Sequence, residues 1–192
     1  MKDLTNSLKY LKYLQKRTGA ELQISGVGIR EMIRPVRVSR PAGTLDRFLL
    51  YMHTPSELDL GGGWQKYPAG TLVLWKDLSG HFYGNSSSPW VHSWLHFHGT
   101  FADHLLEELS FPEQTALYLP DFQKGIDLLT MIYRECVEPE PSNVLQKLWL
   151  EGLFRELKRE SERSPHADHL PGLVRLKQFL DSGLSRIPTP EI

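Results

Sequence analysis

The stretch best equipped for chemistry runs Gly80-His81-Phe82-Tyr83-Gly84 and then Trp90-Val91-His92-Ser93-Trp94-Leu95-His96-Phe97-His98. Alternate side chains of a strand share a face. The spacing therefore sets His92, Trp94, His96 and His98 on one face, and Val91, Ser93, Leu95 and Phe97 on the other. A polar, aromatic face backed by a mostly apolar one suits a wet or ligand-filled lumen. A sugar site needs this mixture: an aromatic plane against the C–H face of the ring, and directional donors and acceptors for its hydroxyls. Trp94 and Tyr83 would supply the plane, His92 and Arg40 the polar groups. Arg40 shares strand parity with Val36 and Val38, so it faces inward if those valines do. The competing reading makes Trp90 and Trp94 core aromatics and each histidine a hydrogen-bonded structural residue.

Metal is the rival chemistry. His96 and His98 stand two residues apart, His81 and His92 would join them, and three imidazoles can hold Zn, Fe or Ni. Such a set would make a metal-dependent cupin enzyme, an isomerase or a dioxygenase. Metal-binding cupins show His-x-His followed shortly by Glu in an earlier strand pair. Here that region reads Tyr51-Met52-His53-Thr54-Pro55-Ser56-Glu57, with a single His. The second cupin motif is present in part, as Gly70, His81 and Asn85, with Lys76 and Leu78 replacing its Pro and second Gly. The expectation is a barrel with no metal, no other cofactor and no catalytic residue. There is no Gly-x-Ser-x-Gly elbow and no phosphate-cradling loop; Gly26-Val27-Gly28 and Gly61-Gly62-Gly63 read as turns.

Positioning these residues requires short strands. From about residue 22 to residue 97, apolar runs at 23–25, 35–39, 45–52, 71–75 and 91–97 alternate with Gly/Pro turns, as in an antiparallel sandwich or barrel. Before them, Leu4, Leu8, Leu11 and Leu14 recur at helical spacing and Gly19 follows, so residues 4–17 read as a helix. After Gly99 the helical period returns. Phe101, Leu105 and Leu109 fit one helix. Phe122, Ile126, Leu129, Ile132, Tyr133 and Cys136 fit a second, ended by Pro139 and Pro141. Ser142 would cap a third, residues 161–169 read as a polar linker, and 173–184 as a last helix. The fold class is thus α+β. The 192 residues carry 22 Lys+Arg against 23 Asp+Glu, with no basic stripe for nucleic acid. Cys136 alone excludes an internal disulfide and a thiolate zinc site, and it reads as a packed, inert thiol. No apolar run reaches the ~20 residues that cross a bilayer, and no signal-peptide core is visible, so the expected compartment is the cytoplasm.

The segments Arg40-Pro41-Ala42-Gly43-Thr44-Leu45-Asp46, Tyr67-Pro68-Ala69-Gly70-Thr71-Leu72-Val73-Leu74, His81-Phe82-Tyr83-Gly84 and Trp90 to Phe97 resemble, in order and spacing, the sensor domain of the AraC family of bacterial transcription regulators. The resemblance implies a cupin-like antiparallel β-barrel (a double-stranded β-helix, or jelly roll) with an N-terminal helix and C-terminal helices. It implies a small effector, sugar-like, held by Arg40, Tyr83, His92 and Trp94, with His81 and His96 beside them. It also implies a homodimer through a helix over 143–158, for which Leu145, Leu148, Trp149, Leu153 and Leu157 are the candidate contacts. The corresponding domain plan is an N-terminal helix at 1–20, the sensor barrel at 21–112, a helical dimerisation and linker region at 113–185, and the start of a truncated DNA-binding domain at 186–192. Operator DNA would be met only through that missing helix-turn-helix part. In the arabinose regulator an N-terminal arm closes over the ligand; here the 4–17 helix is expected in its place.

Overall fold

The computed structural model describes residues 7–11 and 19–163. Its elements are β1 (Leu8–Leu11), β2 (Gln23–Ile33), β3 (Val36–Arg40), β4 (Arg47–Met52), β5 (Ser56–Asp59), β6 (Gln65–Tyr67), β7 (Thr71–Trp75), β8 (His81–Asn85), β9 (Trp90–His98), α1 (Thr100–Glu108), β10 (Leu117–Tyr118), α2 (Gln123–Val137) and α3 (Asn143–Arg163). The strands pair antiparallel in two sheets, ordered β1-β2-β9-β4-β7-β10 and β3-β8-β5-β6.

Strand alternation gives the larger sheet two different faces. From β4, Phe48, Leu50 and Met52 point between the sheets and meet Val73, Trp75, Tyr83, Trp90 and Trp94. Leu49 and Tyr51 point outward, with Leu72, Leu74, Leu95 and Phe97, and the helices cover them. Burial on both faces explains why these strands read as near-continuous apolar runs. Onto the outer face, α2 lays Ile126, Leu129, Ile132 and Cys136, and α3 lays Leu150, Leu153, Phe154 and Leu157. Each large apolar side chain so buried contributes roughly 1.5–3 kcal/mol, as an upper estimate. Burial pushes the Cys136 thiol up to about 12, so it stays protonated. The architecture is the expected cupin-like antiparallel β-barrel followed by helices.

Several expectations are corrected. Leu8–Leu11 is a strand, not part of a helix, and pairs with β2 from Leu8 opposite Ile29 to Leu11 opposite Gly26. Its period is two: Leu8 and Tyr10 pack on the outer core, while Lys9 and Leu11 face the lumen mouth. The leucine spacing fits only the helical period, since Leu8 and Leu11 fall on opposite faces of the strand, and sheet pairing overrides it. The remainder of 4–17, the 173–184 helix and residues 186–192 lie outside the described residues. Gly26-Val27-Gly28 is not a turn but the middle of β2. Sheet membership also extends past both ends of 21–112, through β1 and β10. Residues 161–163, read as linker, continue α3. Leu153 and Leu157, offered as dimer contacts, are 0% exposed because they pack against the barrel of their own chain.

Candidate ligand site in the barrel

A cavity of about 230 Å3 opens between the two sheets. Of the residues singled out in the sequence, Arg40, Tyr83, His92, Trp94 and His96 line it. His81 does not: fully buried, it packs beneath the wall against Phe48 and Tyr83, at ring separations of 5.0 and 6.0 Å. β9 delivers three of these groups from one face. His92 lies opposite Met52 of β4 and Glu31 of β2, Trp94 opposite Leu50 and Gly28, and His96 opposite Phe48 and Gly26.

The two β2 glycines exist for the indole. A Cβ on Gly28 would stand 2.2 Å from Trp94 Nε1, and one on Gly26 would stand 2.8 Å from Cζ3. Trp94 Nε1 donates to Glu31 Oε2 at 2.7 Å, and Lys9 Nζ donates to Glu31 Oε1 at 2.6 Å. One carboxylate therefore fixes both the indole and the β1 strand across the mouth. Partial burial raises the pKa of Glu31, but the hydrogen bonds from Lys9 and Trp94 outweigh it and hold the carboxyl below its usual value. His92 Nε2 lies 3.9 Å from Glu31 Oε2, yet burial brings its pKa down to about 4. The contact is long and His92 is 3% exposed, so desolvation of the imidazolium wins and the ring is neutral near pH 7.

On the other side of Trp94, His96 Nδ1 is 2.9 Å from Asp46 Oδ1, and its ring stacks on Phe48 at 4.4 Å. Asp46 also accepts from Ser25 Oγ. Against a desolvation that raises it, these contacts keep the Asp46 carboxyl below its ordinary value. Burial lifts Tyr83 to about 12, leaving a neutral phenol. It lowers His81 to about 4, helped by the Arg40 charge. Both His81 ring nitrogens, Trp90 Nε1 and His92 Nδ1 are buried without a hydrogen-bond partner among the described residues. Arg40, too, has no carboxylate partner among them. The cavity thus presents the Trp94 indole, the neutral His92 imidazole and Tyr83 phenol, and the Arg40 guanidinium. Among the described residues, no three His, Cys, Asp or Glu side chains are grouped to hold a metal ion.

Lys9, Leu11, Glu31 and Phe48 line the cavity and were not anticipated. Glu31 is hidden by a β-bulge. The register jumps between Gly28 and Glu31, and Arg30 takes φ 52°. Counting by twos from Gly28 puts Arg30 inside and Glu31 outside; the extra residue reverses both. The two glycines flanking Val27 were the available signal, since paired glycines inside a strand mark close approach of a large group.

Comparison with known proteins now bears on this arrangement. The family model "AraC-like ligand binding domain" matches residues 56–173, more than half of the chain. The chain belongs to this family. In this AraC-like ligand-binding domain, Arg40, Tyr83, His92, Trp94 and His96 line the barrel cavity and His81 does not. No curated protein sequence matches. Among solved structures, apo ToxT of Vibrio cholerae, as a variant, aligns at 12% identity and TM-score 0.49, over 91% of this chain and 69% of that one. ToxT with an unsaturated fatty acid bound aligns at 12% and 0.43, over 77% and 58%. The cupin domain of an XRE-family transcriptional regulator from Enterobacter cloacae gives 17% and 0.33, over 48% and 95%. YhaK of Escherichia coli gives 12% and 0.37 over 50% of this chain, and the aligned region spans only 46% of YhaK. No helix among the described residues is long and apolar enough to cross a membrane.

Proposed function

We propose that this AraC-like domain senses a sugar-like small molecule in the barrel cavity, as part of a cytoplasmic transcription regulator that pairs through α3. The observation that carries the reading is the Trp94 indole, clamped over two glycines and Glu31, facing Arg40, Tyr83 and His92, whose Nδ1 is buried without a hydrogen-bond partner among the described residues. Buried polar atoms normally find partners, and leaving them bare costs about 1–3 kcal/mol each. A guest bringing hydroxyls supplies those partners. The volume, about 230 Å3, falls below the roughly 300–1,000 Å3 of drug-sized pockets, which favours a monosaccharide over a long chain. His92 stays neutral and acts as a hydrogen-bonding group, so the reading is recognition, not catalysis. Operator DNA would be contacted by a helix-turn-helix part beyond these residues. The effector shifts that part only through its different affinity for two states of the protein, typically 1–3 kcal/mol.

Calorimetric titration with pentoses, hexoses and uronic acids tests the reading. One sugar class should bind saturably, and Trp94→Ala and Arg40→Ala should each weaken it about tenfold or more while the fold survives. Failure of every sugar to bind, or indifference to both variants, would remove the sensor reading. Stoichiometric iron, zinc or manganese in protein purified without a histidine tag would instead favour a cupin enzyme.

A further inference from the structure

A second cavity, of about 410 Å3, lies on the opposite face of the larger sheet, against the start of α2. Arg30, Tyr51, His53, Tyr118 and Phe122 form its walls. The ligand reading of the barrel makes no use of it.

The bulge in β2 creates this site. Regular pairing would send Arg30 into the barrel. Instead Ile29 and Arg30 together face Ser93, and Arg30 adopts φ 52°, a left-handed conformation unusual for a non-glycine residue. Such a conformation persists only where its surroundings over-determine it, and it gathers at functional sites. The surroundings are visible. The Arg30 backbone N–H donates to Ser93 Oγ at 3.0 Å, and Ser93 Oγ lies 2.7 Å from His53 Nε2. One guanidinium nitrogen donates to Gln123 Oε1 at 3.3 Å. Its other N–H groups have no carboxylate among the described residues.

The chemistry of the walls narrows the guest. Tyr51 hydroxyl is taken by the Leu119 carbonyl at 3.0 Å, and His53 Nε2 by Ser93, so neither is free for a polyhydroxylated ring. The wall is aromatic, its rings packed on one another: the Tyr51 ring lies 4.4 Å from Phe122 and 4.8 Å from His53, centroid to centroid, and Tyr51 and Phe122 are each 5% exposed. Arg30 repels the cations that aromatic walls otherwise favour. Burial and the nearby Arg30 charge also lower His53 to about 4, so it adds no second cation. Asp121 lines the rim, where its Oδ1 accepts the Gln123 N–H at 3.4 Å and its charge reaches Tyr51, so an anionic group must sit on the Arg30 side. A planar guanidinium matches a carboxylate in two parallel hydrogen bonds. We propose that this outer cavity is a second ligand site, taking a small aromatic carboxylate, with its ring against Tyr51 and Phe122 and its carboxylate on Arg30.

Calorimetric titration of the full chain with sodium benzoate tests it, using benzamide as the uncharged isostere. Benzoate should bind with a single saturable isotherm, and benzamide about tenfold more weakly or worse. Arg30→Gly removes the guanidinium at a backbone position glycine prefers, so the fold is kept; benzoate affinity should again fall about tenfold. Trp94→Ala, in the barrel, should leave benzoate binding within about twofold. Absence of saturable binding, equal affinity for benzamide, or indifference to Arg30→Gly would each overturn the proposal. Loss of binding in Trp94→Ala alone would assign benzoate to the barrel and overturn it as well. Since benzamide needs no variant, the test stands even if Arg30→Gly folds poorly.

Discussion

Trp94 owes its position to what its neighbours lack. The indole occupies the space that side chains at residues 26 and 28 would fill, and its N–H is anchored by Glu31. Gly28→Ala therefore forces the indole off β2, because the new methyl group would meet ring atoms and not a flexible chain end. The expected outcome is a loss of about 1–3 kcal/mol of stability, typical of overpacking, together with a red-shifted tryptophan emission and loss of sugar binding. Fluorescence and thermal melts on the variant check this; unchanged emission with unchanged stability would show that the indole is not wedged there. The contribution of Glu31 is of another kind. Its ion pair with Lys9 is half exposed and adds little stability, so its importance is geometric: it holds β1 and Trp94 in one arrangement.

Among the elements, α3 divides into two stretches. From Leu150 onward its apolar residues are buried on the barrel, whereas Val144, Leu145 and Leu148 are 71%, 39% and 53% exposed, with Val137 of α2 nearby in sequence at 48%. Trp149 is partly buried against the outer core. If α3 pairs two copies, its first turns are the surface that does it. Leu148→Glu should then convert a sedimenting dimer to a monomer while the melting of the monomer hardly changes, since surface substitutions usually stay within about 0.5 kcal/mol. A wild-type monomer, or a dimer that tolerates Leu148→Glu, would rule out this surface. The wide apolar stripe of α3 was plain in the sequence, but its division was not, because helical period reports a face and not what covers it. The same limit applied to β1. Leucines at residues 8 and 11 fit a helix, and only the pairing with β2, Lys9 opposite Gly28, settles them as sheet. In contrast, the inward face of β9 was legible because an unbroken strand keeps its period of two. Glu31 was not, because the bulge at Arg30 breaks that period.

At the scale of the molecule, the barrel encloses neutral histidines, and this makes its stability depend on pH. His81 and His92 have folded pKa values of about 4, below the ordinary 6.5, because burial disfavours their charged forms. Above pH 6.5 neither state binds the proton and the stability is complete. As pH falls from 6.5 toward 4 the unfolded chain binds more protons than the folded one, so stability is progressively lost; below about 4 this contribution levels off. Each ring contributes on the order of 1–3 kcal/mol. Urea unfolding at pH 7.5, 6 and 4.5 should show falling midpoints, and a flat profile would mean the rings are not buried neutral. The larger sheet has a further property that follows from its two covered faces. On β9, Trp94 and His96 meet the cavity, while Leu95 and Phe97 meet the helices, with Phe97 5.4 Å from Phe154 of α3, ring centre to ring centre. A close-packed interior has no slack to absorb a shift on one side only. A guest that nudges this strand must disturb the seat of α3 too. No hinge or flexible tether is required to carry news of occupancy from the inside of the barrel to the helix at its back.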